Sequence, residues 1–272
     1  MKVPEILGVV NITTDSFSDG GKFLSSTEAI AHAETLLRDG ADILDLGATA
    51  SNPSAEAVSA EDEIKRLMPV VAHLKNKDVR ISIDSTKGEV QRWAIGEGVE
   101  FLNDIRGFPD STMYAELAHA DTNLVMMHCI SDLDKAVHQP KEPREVLASV
   151  RAFFTERIAT LRAAGIPDSR LIIDPGMGFF LASNPEPSLA VLASLGALKE
   201  EFALPVFIGV SRKSFLRNLG KSETCDIQTR TLAAELFAVS QGVSYIRTHE
   251  PRPLRDALVV LGAIANMVES AH

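Results

Sequence analysis

Eight times along the chain a short aliphatic run is followed by a longer amphipathic stretch, and this alternation constrains the fold more than any other feature. The runs are Ile6–Val10, Ile43–Leu46, Arg80–Ile83, Phe101–Asn103, Leu124–Met127, Leu171–Ile173, Val206–Val210 and Tyr245–Arg247. Their length and composition suit buried strands. Between them apolar residues recur near a 3.6-residue period, as in Ala29, Ala33, Leu36 and Leu37, or Val150, Phe153, Phe154, Ile158 and Leu161. Gly40, Gly98 and Gly242 each stand between a helix and the next strand, where a left-handed C-cap is expected. Strict alternation makes the strands parallel. Eight of them predict a single α/β domain over residues 1–272, a (β/α)8 TIM barrel, and the length of 272 residues suits one such barrel. An open doubly wound sheet is the alternative, but no Gly-x-Gly-x-x-Gly follows the first strand.

Composition narrows the partners. A net charge of −10 argues against nucleic acid, and no apolar run approaches the ~20 residues of a membrane span. Met1–Glu5 runs straight into a strand without the apolar core of a signal peptide. Cys129 and Cys225 form neither a disulfide framework nor a metal motif, so a cytoplasmic protein is expected. An acidic chain that binds anions must gather its basic residues locally, which makes the positions of Arg and Lys informative. Ser131–Arg144, rich in Asp, Lys and Pro, reads as a loop or lid after the fifth strand.

In such barrels the chemistry sits at the C-terminal ends of the strands. Those positions hold Asn11, Thr13, Gly47–Asn52, Asp84, Asn103, Asp104, His128, Asp174, Ser211–Ser214, Arg247 and His249. Stability alone requires no such density of polar groups. For His128 and Asp104, taken singly, a cap or a satisfied core residue is the expectation. Asp84, Asn103 and Asp174 offer acceptors and an amide that suit a flat ring bearing N–H and amino groups. Lys213 can donate to a ring oxygen or nitrogen, and the planar cation of Arg247 can stack on the ring. Ser211–Leu216 is expected to begin the helix after the seventh strand, whose unpaired N–H groups favour an anion. Arg247 and His249 lie at the neighbouring strand end.

Two loops add detail. Asp174 ends an apolar strand, where a carboxylate is costly to bury without a partner. The following Pro175-Gly176-Met177-Gly178 turn leads to Phe179 and Phe180, which read either as core residues or as loop aromatics beside a ring. The first loop, Asn11–Gly21, is rich in oxygen ligands, and Asn11 at a strand end suits Mg²⁺, which takes few protein oxygens plus water and phosphate.

Together these residues resemble dihydropteroate synthase. The first loop is similar to that family's N-x-T-x-D-S-F-S-D-G-G signature, and Asp174–Gly178 to its D-P-G-x-G-F element. Ser211-Arg212-Lys213 matches its S-R-K segment and Arg247-Thr248-His249 its R-x-H, so the likeness spans essentially the whole chain. The resemblance implies an enzyme that joins p-aminobenzoate to 6-hydroxymethyl-7,8-dihydropterin diphosphate and releases diphosphate. Asp84, Asn103, Asp174 and Lys213 would then hold the pterin, with Arg247 stacked on it. Asn11 would bind Mg²⁺ and, with Arg247 and His249, meet the diphosphate. Ser214 would receive the p-aminobenzoate carboxylate, and Phe17, Ser51, Pro53 and Phe179 would border that substrate. Lys213, Arg247 and His249 would carry the catalysis, and the family suggests a homodimer.

Two segments depart from the common pattern. Gly47–Pro53 reads G-A-T-A-S-N-P where typical members resemble G-G-E-S-T-R-P, so Asn52 replaces an Arg that would meet diphosphate or pair with an Asp such as Asp19. Anion binding then falls more heavily on Arg247, His249 and Arg106. After Gly178 the chain continues F-F-L-A-S-N-P, about two residues longer than usual, as in the sulfonamide-resistant Sul-type synthases. A bulky ring at Phe179 or Phe180 would admit p-aminobenzoate and clash with the larger drug. A pterin-binding methyltransferase module is the nearest alternative. A phosphosugar barrel enzyme would call for a Schiff-base Lys or a Glu base at a strand end, and a non-catalytic barrel would need none of these motifs.

Overall fold

A computed structural model describes residues 3–12, 25–49, 58–130, 139–219 and 225–270. The parallel strands are β1 (Glu5–Asn11), β2 (Ile43–Gly47), β3 (Arg80–Asp84), β4 (Phe101–Asp104), β5 (Asn123–Met127), β6 (Leu171–Asp174), β7 (Phe207–Ile208) and β8 (Tyr245–Thr248). Their order is β6-β5-β4-β3-β2-β1-β8-β7. A parallel bridge between Ile173 and Val206 brings β6 to the start of β7 and closes the barrel. The Ile173 N–H donates to the Pro205 carbonyl at 3.0 Å across that seam.

The helices are α1 (Ser26–Arg38), α2 (Ala60–Lys75), α3 (Gly88–Glu97), α4 (Tyr114–His119), α5 (Pro143–Ala163), α6 (Glu186–Ala193), α7 (Leu195–Phe202), α8 (Ser214–Arg217), α9 (Ile227–Ser240) and α10 (Pro251–Ser270). Their ends follow from local chemistry. Ser25 and Glu28 form a reciprocal capping box on α1, and the Asp226 side chain accepts the Gln228 N–H to open α9. Gly40, Gly98 and Gly242 all adopt positive φ where helices turn into strands, as the spacing predicts. Ala29, Ala33, Leu36, Val150, Phe154, Ile158 and Leu161 are buried against the sheet, so the 3.6-residue stripes are the packed faces. Among the described residues no helix is long and apolar enough to cross a membrane.

The barrel interior positions the site. Side chains alternate between the two faces of a strand, and Leu7, Ile43, Phe101, Val125, Ile172 and Phe207 form an apolar cluster of their own with Tyr245 packed on it. Each such side chain contributes about 2 kcal/mol when buried. Below this plug Arg80 bonds Glu5 and Glu100 and lies 5.6 Å from the Phe101 ring centroid. Two residues above it the inward positions become Val9, Asp45, Asn103, Met127, Asp174, Gly209 and Arg247, joined by Ser82 and Asp84 of β3. The polar floor of the site therefore rests on a buried apolar layer.

Candidate active site

Arg247 ties the floor together. Its Nε donates to Asp45 Oδ2 at 2.5 Å and its Nη2 to Asp84 Oδ2 at 3.1 Å. Asp45 also accepts the Ser82 hydroxyl at 2.6 Å and has no exposed surface. Asn103 is buried beside them, and its Oδ1 has no hydrogen-bond partner among the described residues. Asp174 accepts the Gly176 N–H at 2.9 Å with Oδ1, while its second oxygen has no hydrogen-bond partner among the described residues. Asp174 is thus both the cap of its own turn and an acceptor left available. The three acceptors expected from the sequence share one end of the barrel. Asp45, a fourth acceptor and third carboxylate, lies one inward position below the strand ends and escapes a reading confined to them.

Burial sets the protonation chemistry of this floor. Desolvation, with repulsion from Asp45, pushes Asp84 up to about 7 against the pull of Arg247. Asp174 is raised to about 6, again chiefly by burial, while the Gly176 N–H, Lys213 and Arg247 oppose the shift. Burial, then Arg247, lowers Lys213 to about 8. Two carboxylates and an amine poised near neutrality at the mouth of a barrel are the pattern of a functional site rather than of a packing core.

The loop after β6 is shaped by glycine. Gly176 has φ +72°, and a Cβ there would lie 2.3 Å from the His128 carbonyl oxygen. Gly178, at φ +68°, sits against Lys213 and Ser214: a Cβ there would lie 3.5 Å from Lys213 Cδ and 3.6 Å from Ser214 Oγ. Its N–H donates to the buried Ser188 hydroxyl at 2.9 Å. Gly178–Phe180 then forms a 3-10 turn. Neither phenylalanine belongs to the core. Phe179 is 47% exposed, whereas Phe180 lies under Lys213, whose Nζ is 4.6 Å from the ring centroid.

The loop after β7 differs from the expectation at its start. Ser211 and Arg212 form a turn, and the helix α8 begins only at Ser214 and lasts one turn. So short a helix has little macrodipole, and the attraction for an anion must come from side-chain charge. Arg212 occupies the left-handed region at φ +59°. Its N–H donates to Thr231 Oγ1 at 3.2 Å, and its guanidinium pairs with Glu250, which also accepts from Gln228 Nε2 at 2.9 Å. Arg212 is therefore held by α9 and the end of β8, which leaves Lys213 to turn toward the floor. His249 faces this loop through Ser211, with Nδ1 2.9 Å and the backbone nitrogen 3.2 Å from Oγ. Burial and then Arg247, Arg212 and Lys213 lower His249 to about 3, so its ring is neutral.

At the other side of the mouth Gly47 lies between Asn11 and Asp84. A Cβ there would lie 3.9 Å from Asn11 Oδ1 and 3.8 Å from Asp84 Cβ, so glycine keeps the space between them open. Asp104 has structural partners, as expected: it accepts from the N–H groups of Arg106 and Phe108 and from Gln91. His128 is satisfied only in part, because Nε2 pairs with Ser149 at 3.0 Å while the buried Nδ1 has no hydrogen-bond partner among the described residues. Phe17, Ser51 and Pro53, with Asp19 and Asn52, lie outside the described residues.

Fold and floor together define a barrel of the enzyme class, with buried acceptors and a fixed cation at the mouth that suit a flat, hydrogen-bonding heterocycle. The family described as "Pterin binding enzyme" matches residues 7–249. Among curated relatives, a dihydropteroate synthase type-2 of Escherichia coli is 49% identical over 259 residues, covering 95% of both chains. A type-3 synthase of Escherichia coli is 49% identical over 263 residues, covering 96% of this chain and 99% of the relative. A solved dihydropteroate synthase of Xanthomonas albilineans with 4-aminobenzoic acid superposes with a TM-score of 0.84 at 34% identity, covering 96% and 93% of the two chains. The chain belongs to the dihydropteroate synthase family of pterin-binding enzymes.

Proposed function

We propose that this chain condenses p-aminobenzoate with 6-hydroxymethyl-7,8-dihydropterin diphosphate in folate biosynthesis, giving 7,8-dihydropteroate and diphosphate. The observation that carries the pterin assignment is the buried, unpartnered Oδ1 of Asn103 between Asp84 and Asp174. An orphaned acceptor in a dry site is costly, and a ring N–H relieves it. Asp84 and Asp174 take further ring and amino hydrogens. Lys213 donates to the ring edge, and the guanidinium of Arg247, fixed by Asp45 and Asp84, offers its face for stacking.

The reaction breaks the bond between the pterin methylene carbon and oxygen, with its electron pair leaving on diphosphate. The aniline nitrogen then forms the new C–N bond and loses a proton. Arg247 and His249 stabilise the departing anion, and the carboxylates of the floor favour positive charge on the pterin as the bond opens. Ser214 receives the p-aminobenzoate carboxylate, and Phe17, Ser51, Pro53 and Phe179 border its ring. Asn11, beside the space that Gly47 keeps open, fits a Mg²⁺ ion held mainly by substrate phosphates. Among the described residues no group of three His, Cys, Asp or Glu could hold a metal by itself. When bound, the ion supplies charge neutralisation on the diphosphate. A methyltransferase module has no need of Lys213, Arg247 and His249 around a diphosphate.

Insensitivity to sulfonamides is part of the proposal. Phe179 is 47% exposed on the turn that follows β6, and its ring is assigned the discrimination between substrate and drug. Val259, Val260, Ile264 and Met267, at 67%, 57%, 55% and 68% exposure on α10, support a homodimer through that helix. Cys129 and Cys225 form no disulfide with each other, in keeping with a cytoplasmic location.

Calorimetric titration of the pterin substrate tests the site. Asn103→Ala should weaken binding by roughly 10- to 100-fold, the equivalent of one or two buried hydrogen bonds. Unchanged affinity would remove Asn103 from the pterin site.

A further inference from the structure

Ser211 follows β7 directly, and its hydroxyl lies between two nitrogens of one residue. Oγ is 3.2 Å from the His249 backbone nitrogen and 2.9 Å from its ring Nδ1. The backbone amide can only donate, so Oγ accepts there. Serine carries a single hydroxyl proton, and Ser211 is only 6% exposed. Among the described residues Nδ1 is the one acceptor within hydrogen-bond distance of that proton.

We infer that Ser211 is a positioning residue that locks His249 in the tautomer protonated on Nε2. The inference rests on the synthase reading only for its consequence: His249 then presents a fixed N–H donor to the departing diphosphate and never a lone pair. The opposite tautomer would make Ser211 accept two N–H groups and leave its own proton buried without an acceptor, a cost large enough to decide the equilibrium. It would also turn the Nε2 lone pair toward phosphate oxygens, which repel it. Tautomer choice matters because the ring is neutral: burial and the cations of Arg247, Arg212 and Lys213 disfavour the imidazolium, in which both nitrogens would donate. With Nδ1 occupied and Nε2 protonated, His249 does not take the aniline proton.

Nitrogen-15 NMR of histidine-labelled, substrate-free protein tests this directly, because the ring C–H protons couple differently to protonated and bare nitrogens. The His249 signals are identified by their loss in His249→Gln. The wild-type spectrum should show Nε2 protonated and Nδ1 bare near neutral pH. In Ser211→Ala the proton should redistribute between the nitrogens, and kcat should fall about tenfold while KM for p-aminobenzoate is unchanged. Ser211→Thr, which keeps the hydroxyl, should restore both. A wild-type ring protonated on Nδ1, or a tautomer unaltered in Ser211→Ala, would overturn the inference. If Ser211→Ala does not fold, the wild-type and Ser211→Thr spectra still decide it. The spectrum needs no turnover, so a protein with the expected tautomer and no synthase activity would contradict the synthase reading alone.

Discussion

Arg247 spends two of its donors on the carboxylates below it, and this fixes the plane of a cation that would otherwise be free to rotate. Asp45 is the fulcrum: it holds Arg247 and is itself held by Ser82. Asp45→Asn should leave the fold intact by circular dichroism and lower kcat/KM about 100-fold, as expected when a charged group near the reacting atoms is misplaced. Normal kinetics would show that Arg247 needs no such anchor. The raised carboxylates set a pH dependence. Lowering the pH through about 7 and 6 protonates Asp84 and Asp174 and removes acceptors, while raising it through about 8 neutralises Lys213. In rate measurements kcat/KM for the pterin substrate should therefore rise from acid to neutral pH and fall again on the alkaline side; a flat profile would contradict the assigned roles. Asp84, Asn103 and Asp174 were legible in the sequence because each ends or directly follows an apolar run, and Lys213 because it lies in the short basic segment just after one. Asp45 was not, although Ile43-Leu44-Asp45-Leu46-Gly47 contains the same signal, a carboxylate in a strand buried on both faces. Strand periodicity places it inward with Ile43 and Gly47, and only the closed barrel shows that inward means toward Arg247.

At the scale of elements, turns and one helix hold the catalytic loops. Gly176→Ala would force a positive φ on a side-chain-bearing residue and drive its Cβ into the His128 carbonyl. A loss of about 2–4 kcal/mol in urea unfolding is expected, from strain and overpacking together. Helix α9 supports the loops after β7 and β8 from behind, through Gln228, Thr231 and Glu235. Glu235 is buried beside Thr248, and burial raises it from 4.5 to about 8. Between those values the unfolded chain has released its proton and the folded protein retains it, so stability falls as pH rises across that window. Glu235→Gln cannot titrate, and its stability relative to wild type should improve by about 3 kcal/mol on going from pH 5 to pH 8 in paired urea melts. An equal difference at both values would mean that Glu235 does not keep its proton. Helix–strand alternation and glycine caps were legible because each depends on local chemistry. The one-turn α8 was not: Ser211–Leu216 has no cap signal strong enough to announce the left-handed Arg212, which is imposed by Thr231 and Glu250 from distant segments.

The whole molecule separates stability from chemistry along the barrel axis. An apolar plug and the Arg80 cluster close the bottom, and polar groups with costly burial crowd the top. Barrel closure could be anticipated from eight alternations, since parallel strands with helices on one side have few other solutions. The proposed selection against a drug would depend on how loops from different strands meet. There the sequence indicated the Phe179–Phe180 pair without separating the two rings, and variants of each ring separate them. Phe179→Ala should lower the sulfonamide concentration needed for half-inhibition about tenfold with little change in KM for p-aminobenzoate. An effect confined to Phe180→Ala would reverse the assignment. The most direct test of the central claim is release of diphosphate by the purified, folded protein given p-aminobenzoate, the pterin diphosphate and Mg²⁺. The predicted result is one diphosphate for each dihydropteroate formed, abolished in a folded Lys213→Ala variant; a folded wild-type protein that binds both substrates and releases no diphosphate would contradict the account.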